Sequence, residues 1–184
     1  MDVGNPASSS AADSISGTDA ILIGEDDRGL FLTALGSVRA PLCYPLRDIL
    51  LSRLEEASDV PAVFVDLSRC TYMDSTFIGL LVAIDRKLRK RSGGRLHVMD
   101  PSTECLELFR QLGLQDFLLV ETGGISAPNM RSVEALRGRP GADFVLRAHE
   151  ALMESSDVAR RKFSVLRDVL ERKLRGEKPR GDTH

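Results

Sequence analysis

The sequence is short of the residues on which most catalytic sites are built. It has three histidines, His97, His149 and His184, which supply a metal site or a histidine-based triad poorly. It contains no G-x-S-x-G, G-x-x-x-x-G-K-[ST] or G-x-G-x-x-G pattern, so a nucleophile elbow, a P-loop and a dinucleotide fingerprint are excluded. Cysteine is equally scarce: Cys43, Cys70 and Cys105 are odd in number, far apart and without a C-x-x-C pair. A disulfide framework and a zinc knuckle are therefore not indicated, and small buried thiols are expected. No charge dominates, with 25 Lys+Arg against 27 Asp+Glu and a net charge of −2. A nucleic-acid-coating protein would carry a basic excess. The longest nearly uninterrupted apolar run, Phe77 to Ile84, falls short of the roughly 18–20 residues that span a bilayer. The N-terminal stretch has neither a basic n-region nor an apolar h-region, which predicts no signal peptide and a cytoplasmic protein. These absences predict a protein that is not an enzyme, with no metal, no cofactor and no membrane or nucleic-acid partner.

What is present is ordinary globular material. Of the 184 residues, 42% are hydrophobic and 28% charged, enough for one domain of roughly 100–150 residues with a remainder. Residues 1–18 hold almost no large apolar side chain and are expected to be disordered, as are residues 177–184. Two β-runs, Ile21–Ile23 and Leu30–Leu35, flank the polar turn EDDRG. Leu46, Ile49, Leu50 and Leu54 mark one face of a helix whose first turn suits Pro45. AVFVD reads as a buried strand, TYMDST as a connector, and Phe77, Leu81, Ile84 and Leu88 as the face of a second helix closed by Gly93. RLHVM is a strand, Ser102 caps a third helix ending at Leu112–Gly113, and FLLVE is a last strand. The alternation predicts an α/β fold with a mixed sheet of four to five strands covered by helices.

Residues 123–142 are rich in Gly and Pro and are expected to be mostly linker, with a short helix at Ser132–Arg137. Residues 143–176 carry a helical stripe of Ala148, Leu152, Ala159, Phe163, Leu166, Leu170 and Leu174. Ser155-Ser156-Asp157 interrupts it and could start a second helix. This helix or helix pair either packs on the domain or forms a homodimer.

The most informative stretch is Val63 to Leu81, where a strand leads through Asp74-Ser75-Thr76 into an apolar helix. Asp74 or Ser75 at the helix N-cap satisfies amides that lack helical partners. A phosphate on the Ser75 hydroxyl would face the positive end of the helix dipole. The pattern Asp66-Leu67-Ser68, Tyr72-Met73, Asp74-Ser75-Thr76 and Gly79 resembles the STAS domain, in particular the bacterial anti-sigma factor antagonists. Gly93-Gly94-Arg95-Leu96, and Leu108-Phe109 with Leu112-Gly113-Leu114, also look like that family. The resemblance spans residues 20–122 and sets the STAS domain at 19–122.

The resemblance implies a phosphorylation-switched protein. Its unphosphorylated form would bind a GHKL-type serine kinase that is also the anti-sigma factor, and so release the sigma factor. A PPM-type phosphatase would reset it. Ser75 would be the phosphoacceptor. The partner surface would comprise Asp74, Ser75, Thr76, Phe77 and Ile78 with Ser37 and Arg39 from the loop after the second strand. Two positions depart from the family pattern: Phe77 replaces its first glycine, and Arg39 stands where that loop often carries an acidic residue. A STAS scaffold of a stressosome-type or other signalling pathway is the alternative reading. A response-regulator receiver would use Asp26 and Asp66, but no lysine occurs between Lys90 and Lys162 to complete its site. An enzyme would need Asp66, Asp74 and His97 to converge.

Overall fold

The structure is a computed structural model that describes residues 19–56, 61–125, 129–134 and 140–176. The two expected disordered tails lie outside the described residues. Strand β1 (Ala20–Asp26) turns back into β2 (Gly29–Val38) across the polar hairpin, where the Asp26 carboxylate accepts the Arg28 amide at 2.9 Å. Helix α1 (Ala40–Glu56), β3 (Ala62–Asp66), β4 (Cys70–Met73), α2 (Ser75–Ser92), β5 (Leu96–Met99), α3 (Thr103–Gln111) and β6 (Leu119–Glu121) follow. The chain then adds β7 (Arg131–Ser132), α4 (Ala142–Ser155) and α5 (Asp157–Leu174).

The strands form one mixed sheet in the order β6-β5-β3-β2-β1-β7, with β4 joined to the end of β2. The β2-β3, β3-β5 and β5-β6 pairs are parallel, as helical crossovers require, and β1 is antiparallel to both neighbours. The mixed sheet with helices is as expected; its seven strands among the described residues exceed the expected four to five. Both extra strands are short. The connector TYMDST holds most of β4, which pairs with the bulged end of β2 at Ser37↔Tyr72 and Val38↔Met73. Gly36 to Val38 is therefore strand rather than loop, and only Arg39 separates β2 from α1. Ser132, expected in a helix, lies in β7 opposite Leu22; residues 135–137 of that expected helix lie outside the described residues.

Helix α1 begins earlier than expected, so Pro45 sits inside it rather than in its first turn. The helix starts at Ala40 because its amide is capped from another element, the Asp74 carboxylate. The core lies between one face of the sheet and α1, α2 and α3. Ile21, Leu30, Leu32, Val63, Val65 and Val98 meet Leu46, Leu50, Leu81, Ile84 and Phe109 there. All three cysteines are free and buried.

Helix α2 is buried almost all round over Thr76–Val82. The sheet takes one side and α4 takes the other, which explains the apolar run Phe77–Ile84: a helix with no polar face needs two covers. The α4 part of the stripe considered for a homodimer is thus occupied within the chain. Ser156 caps α5, accepting the Ala159 amide at 3.3 Å, and donates to the Leu112 carbonyl at 2.6 Å. That bond ties the α4–α5 corner to the end of α3. On α5 only Ala159 is buried, while Val165 and Val169 are exposed. Among the described residues no helix is long and apolar enough to cross a membrane.

Candidate functional site at the start of α2

Asp74 is the N-cap of α2, with extended backbone (φ −84°, ψ 166°). Its Oδ1 accepts the Phe77 amide at 2.9 Å and its Oδ2 accepts the Ala40 amide at 2.8 Å. One carboxylate therefore closes the first turn of α2 and the first turn of α1 together. The Asp74 amide donates to the Val38 carbonyl at 3.1 Å, which fixes the same corner to the end of β2. Ser75, the first residue of α2, is set on this rigid corner and is half-buried.

The Ser75 hydroxyl meets a residue that the motif did not include. Its Oγ lies 2.8 Å from Nε2 of His149 on α4. The other ring nitrogen, Nδ1, lies 2.7 Å from the Val145 carbonyl. A carbonyl can only accept, so Nδ1 carries the proton and neutral Nε2 accepts the Ser75 hydroxyl. The ring is 2% exposed and stands edge-on to Phe163 of α5, with centroids 4.8 Å apart. Burial pushes the His149 pKa below its ordinary 6.5, against the opposing pull of the Val145 carbonyl and the Asp74 charge.

That depression has a sign. Between the folded and unfolded pKa values the unfolded chain binds more protons, so stability falls as pH drops below about 6.5. Urea denaturation at about pH 7.5 and about pH 5.5 should show a larger loss of stability at low pH for the parent than for His149→Gln. Equal losses in the two proteins would mean that folding does not oppose protonation of His149.

The remaining expected site residues divide. Thr76, Phe77 and Ile78, expected on the partner surface, are buried in this arrangement. Ser37 is half-buried in β2, and its amide is held by the Asp19 carboxylate at 2.8 Å. Arg39 is exposed, with its guanidinium 4.7 Å from the centre of the Tyr72 ring. Asp74 and Ser75 are joined at the corner, and Ser37 and Arg39 border it on β2 and the following residue.

The acids of the receiver reading do not come together. Asp26 pairs with Gly29, which pairs with Ala62 at the start of β3, whereas Asp66 ends β3. The two acids of a receiver site are thus at opposite ends of the sheet. His97, in β5, contacts the Glu121 carboxylate and stacks near Phe64 on the outer face. Asp66 holds the turn after β3 by accepting the Ser68 amide at 2.8 Å.

The mixed sheet, with a serine at the start of a crossover helix, is that of a STAS-type domain. The family model described as Mlab, STAS domain matches residues 21–121, just over half of the chain, and the chain belongs to this family. The fold is that of the anti-sigma factor antagonist SpoIIAA in its unphosphorylated form. That structure superposes with a TM-score of 0.50 at 20% identity, over 56% of this chain and 89% of the other. No curated protein matches the chain. The matched region ends before α4, so His149 belongs to the part of the chain outside the family pattern.

Proposed function

We propose that the chain is an anti-sigma factor antagonist switched by phosphorylation of Ser75. The observation that carries the reading is the position of the Ser75 hydroxyl at the N-terminus of α2. A phosphate adds about −1.5 to −2 charges, and the helix N-terminus favours that charge. The STAS core need not change once His149 gives up the hydroxyl, while a partner surface fitted to a neutral hydroxyl is lost. The unphosphorylated form would bind a GHKL-type kinase that doubles as the anti-sigma factor, a PPM-type phosphatase would reverse the mark, and the cycle would run in the cytoplasm. The protein itself would be non-catalytic. Its Ser75–His149 pair lacks the carboxylate that orients a catalytic histidine, since Nδ1 faces a backbone carbonyl.

Incubation with the cognate kinase and ATP should place one acid-stable phosphate on Ser75, found by mass spectrometry, and Ser75→Ala should abolish it. Phosphate at another residue, or persistent labelling of Ser75→Ala, would sink the assignment. Ser75→Glu should weaken kinase binding with an unchanged circular dichroism spectrum. A second reading, a STAS scaffold of another signalling assembly, draws support from the engagement of Ser75 by His149. Under that reading Ser75 stays unmodified and serves as a fixed contact. The same mass spectrum separates the two.

A further inference from the structure

We infer that the α4–α5 hairpin is a built-in cover over the Ser75 face, an intramolecular competitor that any protein partner of that face must displace. The inference rests on the proposed role of Ser75 only for its biological meaning; the cover itself rests on geometry.

Three contacts place the cover. The first is the bond from the Ser75 hydroxyl to Nε2 of His149, which occupies the atom that a kinase would need to approach in line. The second is the packing of α4 on α2 at Gly79. A Cβ at Gly79 would lie 2.2 Å from the Ala148 carbonyl oxygen and 2.7 Å from its carbon. Only glycine permits so close an approach, because backbone cannot yield as a side-chain end can. Ala148 is the neighbour of His149, so the glycine sets the height at which the imidazole meets Ser75. The third lies at the two ends of α4. Phe144 stands edge-on to Tyr44 of α1 with ring centres 5.4 Å apart. At the other end Glu154 pairs with Arg86 of α2, and Ser156 bonds the Leu112 carbonyl. The helix thus crosses α2 from α1 to the end of α3.

The cover lies outside the family pattern, although Phe144, Ala151, Leu152 and Ala159 share the main core. Residues 21–121 carry the family pattern without it, and α4 adds no strand to the sheet. A partner that needs the face in its open form binds more weakly by the fraction of molecules that are open. The cover therefore tunes affinity without altering the face itself.

The test uses the full chain and needs no kinase. Ser75→Cys introduces one thiol at the site, while Cys43, Cys70 and Cys105 are buried and peptide mapping assigns the label. Iodoacetamide serves as the small probe and a polyethylene-glycol maleimide as the bulky one. With Ser75→Cys alone, the small probe should react and the bulky probe should be slowed. Adding Gly79→Ala lifts α4, and the bulky rate relative to the small one should rise on the order of tenfold. An equal ratio in the two proteins, with sheet amides equally protected from hydrogen exchange, would overturn the cover. If Gly79→Ala unfolds the chain, hydrogen exchange of the unmodified protein decides. Amides of α4 exchanging while the sheet stays protected would support a separable cover, and exchange only with the sheet would overturn it. Thiol labelling is independent of phosphorylation. A cover that opens on a serine no kinase modifies would defeat the proposed switch and leave this inference standing.

Discussion

Phe77→Ala is expected to destabilise the protein by about 3–5 kcal/mol and to lower the melting temperature by roughly 10 °C or more. Phe77 is 1% exposed and belongs to the main core. Its ring is lost together with the contacts around it, and Asp74 ties its amide to the helix start, which limits how far the backbone can settle into the gap. The position is the one where the family pattern carries its first glycine. Here a large side chain fills the space between α2 and its surroundings, so restoring a small residue opens a cavity. The check is thermal and urea denaturation of Phe77→Ala beside the parent. A loss below about 1 kcal/mol would show that the site collapses around the smaller residue.

Asp85→Ala is expected to cost about 3 kcal/mol. Asp85 is wholly buried, on α2. Its Oδ2 accepts Arg89 Nε at 2.7 Å, and its Oδ1 accepts Arg95 Nε at 3.0 Å and the Leu96 amide at 2.9 Å. Both guanidiniums also donate to the Phe117 carbonyl, at 2.9 and 2.6 Å. One carboxylate thereby binds α2 to the start of β5 and to the turn before β6. Removing it leaves the Leu96 amide buried without an acceptor and two cations without their counter-charge. The side chains of Arg89 and Arg95 are 39% and 33% exposed, so water can take up part of their charge, which holds the loss near the lower end for a broken buried pair. Urea denaturation measures it, and Asp85→Asn should lose less because it keeps one acceptor for Leu96. A neutral result for Asp85→Ala would mean that the network adds nothing net.

The core of the fold was legible in local patterns. Helical periodicity marked α1, α2 and α3, and the caps at Ser102 and Gly93 stand where turn chemistry put them. What escaped depended on partners distant in sequence. Strand β4 has too few residues to announce itself and exists through its pairing with the bulged end of β2. The early start of α1 depends on a cap 34 residues away. Asp85 lies in a run that reads as an ordinary charged helix end, and only the fold shows its carboxylate turned inward. The site was half legible. Asp74 and Ser75 were visible in the motif, but His149 is 74 residues from Ser75 and lies beside, not in, the apolar stripe read as packing on the domain or forming a homodimer. One clue was available: Phe77–Ile84 has no polar face, so α2 required a second cover, and the apolar tail was the longest helical segment left to supply it.

The two residues of β7 reach further than their length suggests. Strand β1 is apolar and buried along Ala20–Ile23, and its outer edge would otherwise present open amides and carbonyls to a strand from another molecule. Arg131 and Ser132 pair with Ile23 and Leu22, and the Val133 amide donates to the Ile21 carbonyl at 2.8 Å. The apolar stretch Ile21–Ile23 of that margin is thereby paired within the chain. Strand addition from a second copy at that end requires β7 to leave first, whereas β6 at the opposite margin pairs only with β5 among the described residues.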